Sequence, residues 1–457
     1  MASGAFGPMS GPGMVPPPPP PAGTTRGERW TLGILAAVAL AVAAAGVTWQ
    51  SWDMVRSGHR PMLQGWDDTF YYAWLPAVVL DHTLDFSREL ERGGTVDPAA
   101  QRVWEAQPRT AAGLLPVKYP PGWAIGSLPF FLAAWGLAPA HATGFEPVFF
   151  AWVWLGQLLY AGLGLFLAAR IIRRLVPAAP AGIAVLALWL ASPLVYYQTA
   201  RLSMSHSQVF VLAVGSFWLA LRILDRRDSA ATWLALGFTA GLLVVTRNVA
   251  GLYLLFPAAV VALRLRRGLP GVLLVLGAAL PLGAQLLAWK AVFGSWFAYS
   301  YGSEHFWFID LHFLSLFLSP RHGWFYWHPL TLLGTVGFLA WGWHRRIAWP
   351  WMASFLAVAL LNAAWPNWWL GSSFGNRGLE VANFFAMVGL AVVAAAARAR
   401  PGARRALYAA VSLAIAYNLV LLALFLTRRI SNEDAVSYSD TRVAIARWIE
   451  GAPPNPR

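Results

Sequence analysis

The sequence predicts an all-α membrane protein with about eleven transmembrane helices and interfacial helices in a long first extracytoplasmic loop. Three observations predict it. Of 457 residues, 58% are hydrophobic and 12% charged, too little polar surface for a water-soluble domain of this size. Apolar stretches long enough to cross a bilayer recur along the chain. Arginine clusters fall in alternate connections between those stretches, as cytoplasmic loops require.

The elements follow in order. Residues 1–29 read as a cytoplasmic tail, Gly/Pro/Ala-rich with PPPPPP at 16–21. Such a segment cannot pack a core and is expected to be disordered. Residues 31–49 are apolar and preceded by Arg26 and Arg29. The small residues of AVAAAG would suit signal-peptide cleavage, but the long preceding tail favours an uncleaved first span near 31–50. Further spans are predicted near 147–169, 180–199, 207–222, 231–246, 249–263, 270–289, 325–343, 348–365, 379–397 and 406–427. Several are shorter than the ~20 residues of a comfortable crossing.

One more apolar stretch, 122–138, would invert everything downstream if it crossed. The positive-inside rule decides against that. Without it, the inside loops hold Arg26/Arg29, Arg170/Arg173/Arg174, Arg222/Arg226/Arg227, Arg264/Arg266/Arg267, Arg345/Arg346 and Arg398/Arg400/Arg404/Arg405, with only Glu28, Asp225 and Asp228 as acids. The stretch is therefore expected to be an interfacial or re-entrant outer helix beginning at YPPGW, since prolines suit a helix start. The domain layout is then a membrane domain over 30–427, with 51–146 as its first extracytoplasmic loop, and an outer C-terminal tail over 428–457. Arg428 and Arg429 are a small violation of the rule.

Composition also excludes functions. There is no cysteine, so thiol catalysis and disulfides are out. The net charge of +14 comes from the loop arginines and does not call for a nucleic-acid partner. No P-loop, GxGxxG or serine nucleophile elbow is present, which leaves an ATP-driven pump unsupported.

The unusual residues fall in the outer segments: GWDDTFYY (65–72), PVKYPPGW (116–123), ARLSMSH (200–206), TRN (246–248), SPRHGWFYWHP (319–329) and GSSFGNRGLE (371–380). Asp67 and Asp68 are adjacent acids among large aromatics. Solvated loop acids are the plainer reading, but two carboxylates close to lipid repel and protonate unless cations lie near. One such carboxylate suits a general base. Lysine occurs only at 118 and 290. Lys118, Arg201, Arg247, Arg321 and Arg377 lie in outer turns within two residues of Gly, Pro, Ser or Asn. Each is either a snorkelling interface residue or part of a polyanion site. Arg247, between two spans with almost no loop, is a functional candidate because an unpaired arginine there is costly. His206, His305, His322 and His328 are also outside and form neither HxH nor HExxH. No cofactor is called for; a divalent ion on Asp67 or Asp68 with His206 is the one metal arrangement left open.

This order of motifs resembles the GT-C superfamily of membrane glycosyltransferases. Within it, the chain is similar to bacterial relatives of the protein O-mannosyltransferases and of the lipid A aminoarabinose transferases. DDTFYY matches the family's acid pair after the first span, with Asp where Glu is often second. KYPPG matches a KPPL-like box with a tyrosine inserted, and RLSMSH and TRN match its later turns. The resemblance runs over about residues 30–400 as an order of features rather than close identity.

It implies an inverting glycosyltransferase of the cytoplasmic (inner) membrane, acting on its extracytoplasmic face. The donor would be a polyprenyl-phosphate-linked sugar, with membrane lipids around it and an unknown acceptor. Asp67 would be the base and Asp68 its support. Lys118, Arg201, Arg247 and Arg377 would bind the donor phosphate, and Tyr71, Tyr72, Tyr119, His206 and Arg321 would lie at the substrate. The aromatics Trp66, Tyr71, Tyr72 and Trp123 are either a sugar platform or an interface belt. The alternative is a transporter or flippase of a lipid-linked glycan or other anion. Against it, the chain shows no internal repeat, and its charges gather at one face rather than at the midplane.

Overall fold

The computed structural model describes residues 24–56, 66–93, 108–265 and 268–453. The proline run at 16–21, Arg266 and Arg267 lie outside them. Among the described residues the chain is helical with no strand. Each of the eleven predicted apolar stretches forms or contains a helix. Six helices are long and apolar enough to cross a membrane: Arg26–Trp52, Pro147–Ile172, His206–Leu224, Leu269–Phe293, Arg346–Ala363 and Pro401–Leu426. Ala178–Leu190, Ala230–Thr246, Asn248–Arg264, Pro329–Trp343 and Ala382–Ala397 are shorter.

Local sequence explains the boundaries. Pro147, Pro329 and Pro401 open their helices, where a missing N–H costs nothing. Ser229 caps Ala230–Thr246 in a reciprocal box with Thr232. Gly294, at φ 73°, ends Leu269–Phe293 in the left-handed conformation. Without hydrophobic drive between helices in lipid, small residues let them approach closely. Ala230–Thr246 meets Leu269–Phe293 where Gly237 faces the Leu274 carbonyl and Gly277 faces that of Leu234. Pro329–Trp343 meets Ala382–Ala397 in the same way, through Gly334, Gly337 and Gly389. A Cβ at any of these positions would collide with opposing backbone.

The polar contacts separate two ends of the bundle. At one end, Glu28 takes two bonds from Arg398 (2.6 and 2.8 Å), Arg174 pairs with Asp225 (2.8 Å) and Arg264 donates to the Leu224 carbonyl (3.1 Å). These are the arginine loops assigned inside. At the other end the segments assigned outside meet one another.

Three outer elements differ from, or add to, the sequence reading. The helix Gly122–Trp135 begins after Pro120 and Pro121 as expected, and its 14 residues span about 21 Å, short of a ~30 Å hydrocarbon core. It lies along Pro147–Ile172, where Tyr160 donates to the Gly126 carbonyl (2.7 Å). The helix Trp66–Val79 is packed: every residue from Asp68 to Ala77 is buried, which removes the reading of solvated loop acids. The segment expected to be a tail carries a capped helix, Tyr438–Ile449. Tyr438 stacks on Tyr326 at 4.3 Å, and the Ser373 amide donates to the Asn432 carbonyl (3.0 Å). Its sequence is too polar for a hydropathy search to register.

Candidate active site

Asp67 and Asp68 stand in the first turn of Trp66–Val79, where the helix dipole favours negative charge. Successive helical residues point about 100° apart. The two acids therefore meet different partners. Asp67 pairs with Arg377 (2.7 Å) and accepts from the Tyr119 hydroxyl (2.6 Å), with its side chain 20% exposed. Asp68 pairs with Arg201 Nε (3.2 Å) and is 1% exposed. One acid faces an opening and the other is interior.

The KYPPG box supplies the other wall. Its tyrosine, Tyr119, shares Asp67 with Arg377. Tyr119 also stacks on Tyr71 (4.5 Å, 13° between planes), and its carbonyl accepts from Trp74 Nε1 (3.0 Å). Tyr71 lies four residues after Asp67, hence on the same helix face. Its hydroxyl accepts from Ser205 (3.2 Å). Lys118 binds Glu304 through both carboxylate oxygens (2.6 and 2.7 Å). Pro120 and Pro121 then start the half-buried helix that anchors the box. Beside Tyr119 is a narrow apolar cleft lined by Trp74, Phe86, Val117, Trp289 and Phe293.

The third wall is the turn at 371–380. Gly375 adopts φ 64° and packs on His328, where a Cβ would collide with the imidazole. Asn376 caps the following turn by accepting from the Gly378 amide (3.1 Å). This sets Arg377 toward Asp67 and, three residues later, Glu380 toward Arg247 (2.8 Å) and His206 Nδ1. Glu380 is 4% exposed and was not among the expected site residues, although its segment was singled out. An acid at the mouth of a span, beside the predicted cations, was the available signal. His206 stacks near Tyr197 (4.1 Å) and serves Glu380.

Electrostatics follow from these contacts. Burial alone would push the Asp67 carboxyl up. The Arg377 charge, the Tyr119 hydroxyl and the charges of Arg201 and Lys118 outweigh it and hold Asp67 below the ordinary aspartate value. Burial and the Asp67 charge push the Tyr119 phenol well above its usual value, so it stays a donor.

Asp67, Asp68, Lys118, Tyr71, Tyr119, Arg201, Arg247, Arg377 and His206 thus belong to one connected cluster at one end of the bundle. Three expectations are corrected. Tyr72 is interior: it stacks on Phe150 (4.5 Å) and donates to the Gly144 carbonyl (2.5 Å). Trp123 is fully buried and donates to the Met204 carbonyl (3.2 Å), so it is neither platform nor belt. Arg321 lies over Trp369 (3.7 Å) and donates to the Glu433 carbonyl (2.7 Å), holding the C-terminal segment instead. Both aromatics turn inward because the helices that carry them are covered on the face a sequence cannot assign. Among the described residues no three His, Asp or Glu side chains are grouped as metal ligands.

This geometry can be set beside known proteins. No protein-family model and no curated protein sequence matches the chain. Two solved structures are similar to it over most of its length. One is ArnT from Cupriavidus metallidurans in the apo state, at TM-score 0.52 and 16% identity, covering 93% of this chain and 70% of that one. The other is the same protein bound to undecaprenyl phosphate, at TM-score 0.50 and 16% identity, covering 92% and 70%. The likeness is one of fold: the chain is a multi-pass helical membrane protein with an ArnT-like architecture.

Proposed function

We propose that the chain is a glycosyltransferase of the inner membrane. It would move a sugar from a polyprenyl-phosphate-linked donor to an acceptor on the extracytoplasmic face, with inversion at the anomeric carbon. The observation that carries this is Asp67: a partly exposed carboxylate between Arg377 and Tyr119, in a cluster that also holds Lys118, Arg201 and Arg247. A similarly folded protein, ArnT from Cupriavidus metallidurans, has been solved bound to undecaprenyl phosphate, which supports a lipid phosphate as the donor's anchor.

In the reaction, the acceptor X–H gives its proton to the Asp67 carboxylate while X bonds to the anomeric carbon. The bond from that carbon to the phosphate oxygen breaks, and its electron pair leaves with the lipid phosphate. That oxygen gains a full charge, and cations placed beforehand stabilise it. Arg377 is central, because it moves from neutralising Asp67 toward the phosphate. Asp67 is thereby released from its counter-ion as the donor docks, and its affinity for a proton rises. Asp68, interior on Arg201, holds that arginine in place. In this reading 51–146 is the outer loop that builds the site, 1–29 the cytoplasmic tail and 428–457 an outer segment.

The test is transfer of radiolabelled sugar from a polyprenyl-linked donor to membrane acceptors by reconstituted protein. Asp67→Asn should abolish transfer while donor binding persists. Full activity in that variant would overturn the base assignment. Unchanged donor affinity in both Lys118→Ala and Arg247→Ala would overturn the phosphate assignment.

A further inference from the structure

The connection from Gly294 to His312 takes no part in the proposed chemistry, yet it grips the KYPPG box. Ser300 donates to the Lys118 carbonyl (2.7 Å), and the Tyr301 ring lies 4.8 Å from Lys118 Nζ. Glu304 sets both oxygens on the same Nζ. The strap is tied down beyond this by the Trp307 and His312 amides, which donate to the carbonyls of Ala364 (2.6 Å) and Ala363 (2.9 Å). Trp296, Phe297, Phe308 and Ile309 are exposed, Ile309 at 95%, and such an apolar tip suits a headgroup layer.

The ion pairs around the KYPPG box and the acid pair are not equal. In Asp68–Arg201 and Glu380–Arg247 the acids are 1% and 4% exposed, and those pairs are part of the interior. In Lys118–Glu304 the side chains are 25% and 46% exposed. An exposed pair contributes little and opens at low cost. A lipid phosphate offers Lys118 the same kind of contact, anionic oxygens in a charge-assisted bond.

Resting on the reading of Lys118 as a phosphate ligand, we propose that Glu304 is a tethered competitor for that phosphate. Its carboxylate occupies Lys118 when the site is empty, yields when a lipid phosphate arrives, and returns as the phosphate leaves. Glu304 is then an affinity-determining residue that weakens phosphate binding. The strap carries it because a mobile partner must be held close without being buried.

The probe is undecaprenyl phosphate, titrated into the full chain in nanodiscs of zwitterionic lipid. Glu304→Gln, which keeps shape and removes charge, should bind it about two- to fivefold tighter than the wild type at low salt. Glu304→Ala should shift in the same direction. Binding to either variant should also depend more steeply on salt, because an unneutralised lysine then meets the phosphate instead of exchanging one anion for another. Lys118→Ala should weaken binding, and adding Glu304→Gln to it should restore nothing. If both Glu304 variants bind no tighter while Lys118→Ala binds weaker, the competitor is wrong and the phosphate ligand stands. If Lys118→Ala also leaves binding unchanged, both fall.

Discussion

Arginine marks both ends of this bundle, in two different states. At the inner end it sits in short loops, as in the Arg174–Asp225 pair, whose side chains are about one-third exposed. At the outer end Arg201, Arg247 and Arg377 are drawn inside, each on a carboxylate from a distant segment. Most of the arginines at the first end stay in short loops, and Arg398 is the exception, held by two bonds on the buried Glu28. The outer ones hold a site together and need partners, because an uncompensated buried charge is costly. The same residue type is therefore mostly a loop residue at one end and a structural part at the other.

That contrast can be broken or sharpened by experiment. The largest effect is expected at the open carboxylate. Asp67→Asn should reduce the transfer rate by about 10²–10⁴-fold, the usual contribution of a positioned base, measured as single-turnover sugar transfer. Next comes the buried pair. Glu380→Gln strands the Arg247 charge and should lower unfolding stability by about 3–5 kcal/mol, read as a drop in thermal midpoint in detergent. A midpoint within error of the wild type would show that Arg247 is solvated rather than held.

Arg377→Gln tests the electrostatics. Asp67 is kept below its ordinary value, so its ionised form survives into acid, and the protonated, inactive form appears only as pH falls through that lowered value. Removing the arginine lets burial raise Asp67. The acid limb of the pH profile of kcat/KM should move to higher pH. A limb that stays in place would mean another group titrates there. The smallest effect is at the inner end: Arg174→Ala should change stability by at most about 1 kcal/mol, as exposed pairs do.

Much of the fold was legible because a bilayer constrains sequence strongly. Each apolar stretch identified by hydropathy forms or contains a helix, and the arginine loops gather at one end through Glu28–Arg398 and Arg174–Asp225. The site was legible as an inventory. Asp67, Lys118, Arg201, Arg247 and Arg377 were each visible as charges out of place near lipid, and they do assemble. The pairings were not visible. Lys118 and Glu304 are 186 positions apart, and Glu380 stands 133 positions from Arg247. Tyr72 and Trp123 could not be told from platform residues, because only packing reveals which helix face is covered. The helix Tyr438–Ile449 escaped because it is too polar overall to register in a search for apolar spans.

The sequence by itself determined the helical class, the two ends of the bundle and the end at which charge accumulates. Apolar length and arginine placement are local, additive properties that a lipid environment reads directly. Tertiary structure alone decided which acid is open and which is interior, which cations are held fast and which one is loosely held by a strap. Those distinctions depend on burial and on distances between segments far apart in the chain, and these exist only once the helices have packed.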